Sequence, residues 1–225
     1  MKKINQFFDN LFDIVPGYVF GLLAFIMGLL GDLLALLFSP GYQMLRSSIS
    51  LLGLNPGGIY WRLGMIISNI FAIFFLIYLG KILKDENINE VIRKLAIGSG
   101  IFTSVSGILT GAFTGVTPLI IYLHGIFALM DFIGAAVLYS LFAFLLAKNS
   151  NFSKSITYIS ISISAIVVSY LIPFFITNFC SLFKDICFSF GELIYVIMPT
   201  YEWTMVFAIL IWFLSNSLYI AIKKL

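Results

Sequence analysis

Six long apolar runs, separated by short polar segments, make up most of the chain. Each run is long enough to cross about 30 Å of hydrocarbon as a helix. Helices are required because only helices and closed barrels satisfy the backbone in lipid. The alternating run Ser160–Ser164 is also predicted to be helical, because it lies inside a long apolar run. The predicted fold is all-α: a polytopic membrane protein with one domain over residues 1–225, a six-transmembrane-helix bundle with spans at about 15–38, 62–83, 91–113, 118–147, 155–180 and 201–222.

The basic residues predict the orientation of these spans. With the N-terminus in the cytoplasm, the outer segments hold Arg46, Arg62 and Lys184, and the other Lys and Arg residues, of 13 in total, fall on inner segments. Cytoplasmic loops carry an excess of Lys and Arg. An even number of spans places both termini on one side, and both are basic. We therefore expect a cell-membrane protein with cytoplasmic N- and C-termini.

Composition excludes several functional classes. The chain is 61% hydrophobic and 10% charged, with a mean hydropathy of +1.07. A soluble domain carries about 25% charged residues. These values exclude an ordinary soluble enzyme and a nucleic-acid-binding module, so we expect membrane lipids and no nucleic acid among its partners. One histidine and two cysteines predict no metal site, and no motif predicts a cofactor.

Two outer segments are longer than turns. Between its Gly- and Pro-rich ends, Tyr42–Gly53 is expected to form a short interfacial helix. The run Ile186–Met198 is too short to span and is expected in the headgroup region. Four aromatic residues near these segments are expected in an outer aromatic belt: Tyr60, Trp61, Tyr201 and Trp203.

Ionisable residues at bilayer depth are costly and mark candidate functional positions. These are Asp32 in the first span, and His124 and Asp131 in the fourth. Asp32 and His124 each lie about six residues below an outer helix end, roughly 9 Å deep, and Asp131 lies about two turns deeper. Small residues share their helix faces, which predicts that these side chains point into the bundle. Because Asp32 and His124 match in depth and both point inward, we expect that their side chains can come into contact.

Three interpretations of these residues stay open. In the first, Asp32, His124 and Asn69 are hydrogen-bonded contacts that join helices. In the second, they form a ligand, proton or ion site. In the third, they have a catalytic role. Arg46, with Ser50 nearby, suits a phosphate or a carboxylate. The alternative role of Arg46 is to fix the loop by pairing with Asp32, Glu192 or Glu202.

The leading functional hypothesis is binding or transport of a small polar ligand or a lipid headgroup in a pocket open to the outer face. Its predicted lining is Asp32, Arg46, Ser50, Asn69, His124 and Asp131. One alternative is an intramembrane lipid hydrolase with His124 as base and Ser47, Ser48 or Ser50 as nucleophile. No catalytic residue is assigned, because no nucleophile motif surrounds these serines. Another alternative is a structural or regulatory subunit, which predicts a membrane-protein partner or a homo-oligomer.

The outer segment also carries a family signature. Its pattern is tyrosine, three residues, arginine, two residues, isoleucine-serine and then a glycine, here Tyr42, Arg46, Ile49, Ser50 and Gly53. This pattern resembles the outer-loop signature of a prokaryotic integral-membrane family catalogued as domain of unknown function 998. The resemblance covers roughly Val15–Ala147 and places the family's later membrane histidine at His124. It implies a six-span protein without an established activity, and it favours Arg46 and His124 as site residues.

Overall fold

The structure, a computed structural model, describes the backbone of residues 2–86, 88–182 and 188–225, and the side chains of 6–86, 88–176 and 196–225. This part of the chain is helical without strands, and six of its helices are long and apolar enough to cross a membrane. The predicted all-α, six-span bundle is confirmed. The helices are α1 (Lys2–Ile14), α2 (Gly17–Leu37), α3 (Ile49–Leu52), α4 (Gly58–Ile82), α5 (Glu90–Ala112), α6 (Pro118–Lys148), α7 (Lys154–Leu182) and α8 (Phe188–Lys223).

The six long helices form a closed ring. Each packs against its neighbours in the order α2, α4, α5, α6, α7, α8, and α8 closes the ring against α2. Backbones approach closely where glycines face each other: a Cβ on Gly31 would lie 2.6 Å from the Cα of Gly64. Small residues at helix contacts are typical of membrane bundles. Because the ring is an up-and-down arrangement, both termini lie at one end, called here the terminal end. The connection 38–57 lies at the other end, called here the loop end.

Large side chains fill the interior at the terminal end. Trp212 is fully buried, with its ring 5.1 Å from that of Tyr139, 5.8 Å from Phe142 and 6.0 Å from Phe75. Leucines of α4 and α6 pack around these rings. We call this group the aromatic core. It closes the centre of the ring toward the terminal end.

An amphipathic helix, α1, precedes the first span and was not predicted from the sequence. Its apolar face packs against the terminal end of α2 and α4, where the Phe12 ring lies 5.1 Å from that of Tyr78. Asp9 accepts a hydrogen bond from Lys81 Nζ at 2.5 Å. The 13 residues of Lys2–Ile14 are few for an isolated helix in water. Contacts with the bundle therefore supply its stability.

The loop-end connection differs from the prediction. The expected helix over Tyr42–Gly53 is wrong except for the single turn Ile49–Leu52. The rest forms turns that fold back onto the bundle, with Ile49 and Leu52 buried beside Trp61 and Trp203. The belt assignment of these two tryptophans is also wrong, because they are 4% and 3% exposed. They cover the apolar underside of the loop instead of facing the membrane interface.

The last span is longer than predicted. The five preceding spans begin and end within four residues of the predicted bounds. The sixth, expected at 201–222, belongs to a helix that begins at Phe188 and contains Pro199. Most of the run expected in the headgroup region is therefore the start of α8, while Ile186 and Cys187 lie outside the described residues. The extension places Glu202 fourteen residues into α8, where the prediction had placed it at the start of the span.

Candidate functional site: a cavity at the centre of the ring

A cavity of about 520 Å³ lies inside the ring, above the aromatic core. All six long helices and the loop-end connection contribute to its wall. It reaches the surface at Arg46 and Leu51, which are exposed, and its floor includes Tyr139 and Phe213. This volume is in the range of small-molecule sites. The residues predicted from the sequence to form a site all line it: Asp32, Arg46, Ser50, Asn69, His124 and Asp131.

Small side chains leave this space open. On α6 one stripe of the cavity wall carries Gly125, Ala128, Asp131 and Ala135, and the helix changes to Tyr139 and Phe142 one turn below. Four positions in the upper stripe thus carry small or short side chains. Because interiors are otherwise close-packed, a run of small residues facing the centre of a ring creates a void.

Two carboxylates line the cavity without a protein partner. Asp32 is 6% exposed, and neither it nor Asp131 hydrogen-bonds or pairs with any other described residue. Asp32 lies five residues from the end of α2, about 8 Å below the loop end, and Asp131 lies thirteen residues into α6, about 20 Å deep. An isolated buried charge is costly. These two acceptors therefore have only the cavity to interact with.

His124 is held by α5 rather than by Asp32. Its Nδ1 donates to the Thr110 carbonyl oxygen at 3.1 Å and lies 3.5 Å from Thr114 Oγ1. A carbonyl oxygen only accepts, so Nδ1 carries a proton. The expectation that Asp32 and His124 meet is wrong, since they form no ion pair. Their helices, α2 and α6, occupy opposite positions in the ring, so the two side chains face each other across the cavity.

The serines of the loop are not paired with the histidine. Ser48 Oγ and Ser50 Oγ lie 3.4 Å apart, and both residues line the cavity. Among the described residues, the hydroxyl that reaches His124 is Thr114, which donates its own proton to Thr110. A nucleophile and its base normally lie within about 3.2 Å of each other. The predicted arrangement of a serine with His124 as base is not formed.

Glu202 is a cavity residue that the sequence analysis missed as a site candidate. It is 5% exposed, and its Oε2 accepts a hydrogen bond from Ile49 N at 3.0 Å. The sixth span was predicted to begin at 201, so Glu202 was considered only as a partner for Arg46. With the helix extended back to Phe188, Glu202 is a carboxylate inside a long apolar helix and not at its first turn. That is the signal that marked Asp32 and Asp131.

The loop is anchored mainly by Tyr42 and Glu202. Tyr42 Oη donates to the carbonyl oxygens of Ser47, at 2.9 Å, and Ser48, at 2.8 Å. It accepts a bond from Trp203 Nε1 at 3.3 Å. Burial raises the pKa of Tyr42 to about 12; the indole bond lowers it, and the charges of Glu202 and Asp32 raise it further. The phenol is therefore neutral at physiological pH and keeps its proton for the loop carbonyls.

Arg46 is the exposed cation at the mouth of the cavity. It forms no ion pair with Asp32 or Glu202, and the side chain of Glu192 lies outside the described residues. The loop around it is already fixed by Tyr42, Ile49 and Gly53, where a Cβ would lie 2.6 Å from the Trp61 ring. Arg46 thus makes no visible contribution to holding the loop. Its guanidinium is available to an anionic group at the mouth.

Asn69 lies in the α4 wall and bonds within its own helix. Its Nδ2 donates to the Met65 carbonyl oxygen at 2.9 Å, and the side chain fills the space next to Gly107 on α5. It makes no bond to Asp32 or His124. The interhelical contact expected between these residues is therefore absent from the described structure, and Asn69 remains a polar patch on the cavity wall.

Comparison with known protein families shows to which family the chain belongs. Residues 22–215 match the family described as "Protein of unknown function (DUF998)". The chain belongs to this family. The match extends the resemblance, expected to end near Ala147, through α7 and most of α8, so it includes Glu202 and the aromatic core. No curated protein and no solved structure matches the chain.

Proposed function

We propose that this DUF998 protein binds a small polar ligand or a lipid headgroup in the central cavity, as a binding or transport protein. The observation that supports this most is the pair of unpartnered carboxylates, Asp32 and Asp131, in a cavity of about 520 Å³ within an apolar bundle. Intramembrane ionisable residues are expensive, so their retention without a partner is explained by a ligand. Membrane lipids and solutes at the loop end are the accessible sources.

We further propose that the loop end faces outward and that both termini are cytoplasmic. The support is the distribution of Lys and Arg, which lie mainly on the segments at the terminal end. In the cell membrane this orientation opens the cavity to the outer face. It places the aromatic core between the ligand and the cytoplasm.

Retention of bound molecules tests this function. Wild-type protein, Asp32→Asn, and an Asp32→Asn/His124→Gln double variant would be purified in mild detergent, and the co-purifying lipids and metabolites quantified by mass spectrometry. The control is Asp13→Asn, the same change at an exposed position of α1. We expect a molecule that is retained by the wild type and the control, and lost from both cavity variants. Equal retention by all four proteins would contradict the proposal.

A further inference from the structure

Below the mouth of the cavity, the Asp and Glu side chains in its described wall face no Lys or Arg. Asp32, Asp131 and Glu202 contribute three carboxylates, and no described Lys or Arg other than exposed Arg46 lines the space. Glu202 already accepts the Ile49 amide. Asp32 and Asp131 have no donor in the part of the protein that the structure describes. An ionised carboxylate only accepts hydrogen bonds. What fits beside Asp32 and Asp131 is therefore a donor, and a positively charged one.

Aromatic faces line the deeper part of the cavity near Asp131. The Phe132 ring lies 5.0 Å from that of Tyr170 and 5.2 Å from that of Phe174, and these three rings lie in the cavity wall. Tyr139, on the floor, lies about two turns below Asp131 on the same helix. Aromatic faces attract cations, and ring clusters recognise organic ammonium groups. A hydrated metal ion would not use this apolar surface.

We infer that the ligand of the cavity carries an organic ammonium group that binds Asp131 and packs against the Phe132 ring cluster, while the charge of Asp32, nearer the mouth, attracts it into the cavity. This inference rests on the proposed binding function and specifies the chemistry of its ligand. The exposed guanidinium of Arg46 at the mouth fits an anionic group on the same molecule. An ammonium lies below it, so a zwitterion with its anionic group outward matches the charge order from mouth to floor.

A pair of ions with the same shape and opposite charge tests the sign of the charge that the cavity binds. Radiolabelled tetraphenylphosphonium and tetraphenylborate would be titrated against detergent-purified wild type, Asp32→Asn, Asp131→Asn and the exposed control Asp13→Asn. Size-exclusion profiles would verify that each variant is folded. We expect the cation to bind the wild type and the control at least tenfold more tightly than either cavity variant. Binding of the anion would not fall in the cavity variants.

Competition identifies the source of the ammonium group. Phosphatidylethanolamine that displaces the cation, while phosphatidylglycerol does not, supports a lipid headgroup as the ligand. Displacement by free ethanolamine or choline supports a soluble amine. Both outcomes agree with the inference.

A cavity-filling variant, Ala128→Trp, separates failure of the inference from failure of the proposed function. If tetraphenylborate binds, and Ala128→Trp abolishes its binding while the aspartate variants do not, the cavity is a binding site and the ammonium assignment is overturned. If neither ion binds in a way that Ala128→Trp blocks, and no co-purifying molecule depends on Asp32, the inference and the proposed function both fail. Cation binding that is unchanged in Asp32→Asn and Asp131→Asn overturns the inference alone.

Discussion

The loop-end half of the ring and its terminal-end half are built from the same six helices but have opposite interiors. In the loop-end half α2, α5 and one stripe of α6 present small or short polar side chains to the axis, and a cavity remains. In the terminal-end half they present Phe75, Tyr139, Phe142 and Trp212, which fill the axis completely. The two halves differ in the volume of the axial side chains, not in the arrangement of the helices. The stability of this bundle and its candidate site are therefore located in separate layers.

The largest effect on stability is expected when a ring of the aromatic core is removed. Trp212→Ala should lower the free energy of unfolding by about 3–5 kcal/mol, because a fully buried Trp leaves a large void. Thermal or SDS unfolding in detergent measures this loss. Ile211→Ala, its half-exposed neighbour on α8, is the control and should cost less than about 1 kcal/mol. Equal losses at the two positions would show that the terminal half is not held together by its core.

Alanine substitutions at Glu202 and Asp32 should distinguish a carboxylate with a structural role from one that is free to bind a ligand. Glu202→Ala removes the acceptor of the buried Ile49 amide and should cost about 1.5–3 kcal/mol, because a bond to a charged group is lost. Asp32→Ala leaves no protein donor unpaired, so we expect no loss of stability. Unfolding curves and proteolysis of the segment 39–57 are the measurements. A destabilised Asp32→Ala would mean that Asp32 holds the helices together.

The close contact between α2 and α4 predicts a smaller loss of stability. Gly31→Ala would place a Cβ 2.6 Å from the Cα of Gly64, so α2 and α4 must move apart, at about 1–3 kcal/mol. Gly98→Ala is the matched control, because a Cβ there meets nothing within 4 Å. Alanine is the better helix former, so the control should be neutral or stabilising. Unfolding in detergent compares the two, and equal stability of both variants would contradict the packing.

The smallest effect is expected for the hydroxyl that anchors the loop. Tyr42→Phe removes the bonds to the Ser47 and Ser48 carbonyls and leaves Trp203 without an acceptor, at about 1 kcal/mol. Faster proteolysis of the loop would report this loss of stability. Tyr60→Phe, at an exposed position, is the control.

The same hydroxyl predicts how the loop responds to pH. Because the pKa of Tyr42 rises on folding from 10.0 to about 12, its contribution is fully present below pH 10 and is lost as the pH rises through 12. Proteolysis of the loop should therefore stay constant up to about pH 10 in the wild type. An onset of cleavage well below pH 10 that Tyr42→Phe lacks would contradict the anchor.

The topology was predictable because span length and backbone satisfaction leave few choices in lipid. The inward placement of Asp32, His124 and Asp131 was also accessible, since small residues on the same helix faces mark the interior. The depth of a residue in the membrane and the helix face on which it lies depend on one helix alone, so both can be predicted from the sequence. They do not specify which helix lies opposite. Asp32 and His124 therefore matched in depth but belong to opposite sides of the ring.

The loop was less predictable because its structure depends on contacts distant in sequence. Ile49 is bonded to Glu202, 153 residues away, and Tyr42 accepts its bond from Trp203, 161 residues away. Turn residues could mark the ends of the segment, but nothing local indicates that Trp61 and Trp203 lie beneath it. The same long-range packing hid Glu202, whose depth became visible only with the full length of α8.

The most direct test of the contrast between the two halves is thiol accessibility along α6. After Cys180 and Cys187 are replaced by serine, Ala128→Cys places a thiol in the cavity wall, and Ala143→Cys places one at a buried position of the terminal-end half. A charged, water-soluble thiol reagent would be applied to each purified protein in detergent. We expect rapid modification at 128 and none at 143 in the folded state. No reaction at 128, or equal reaction at both positions, would contradict a water-accessible cavity closed by an aromatic core.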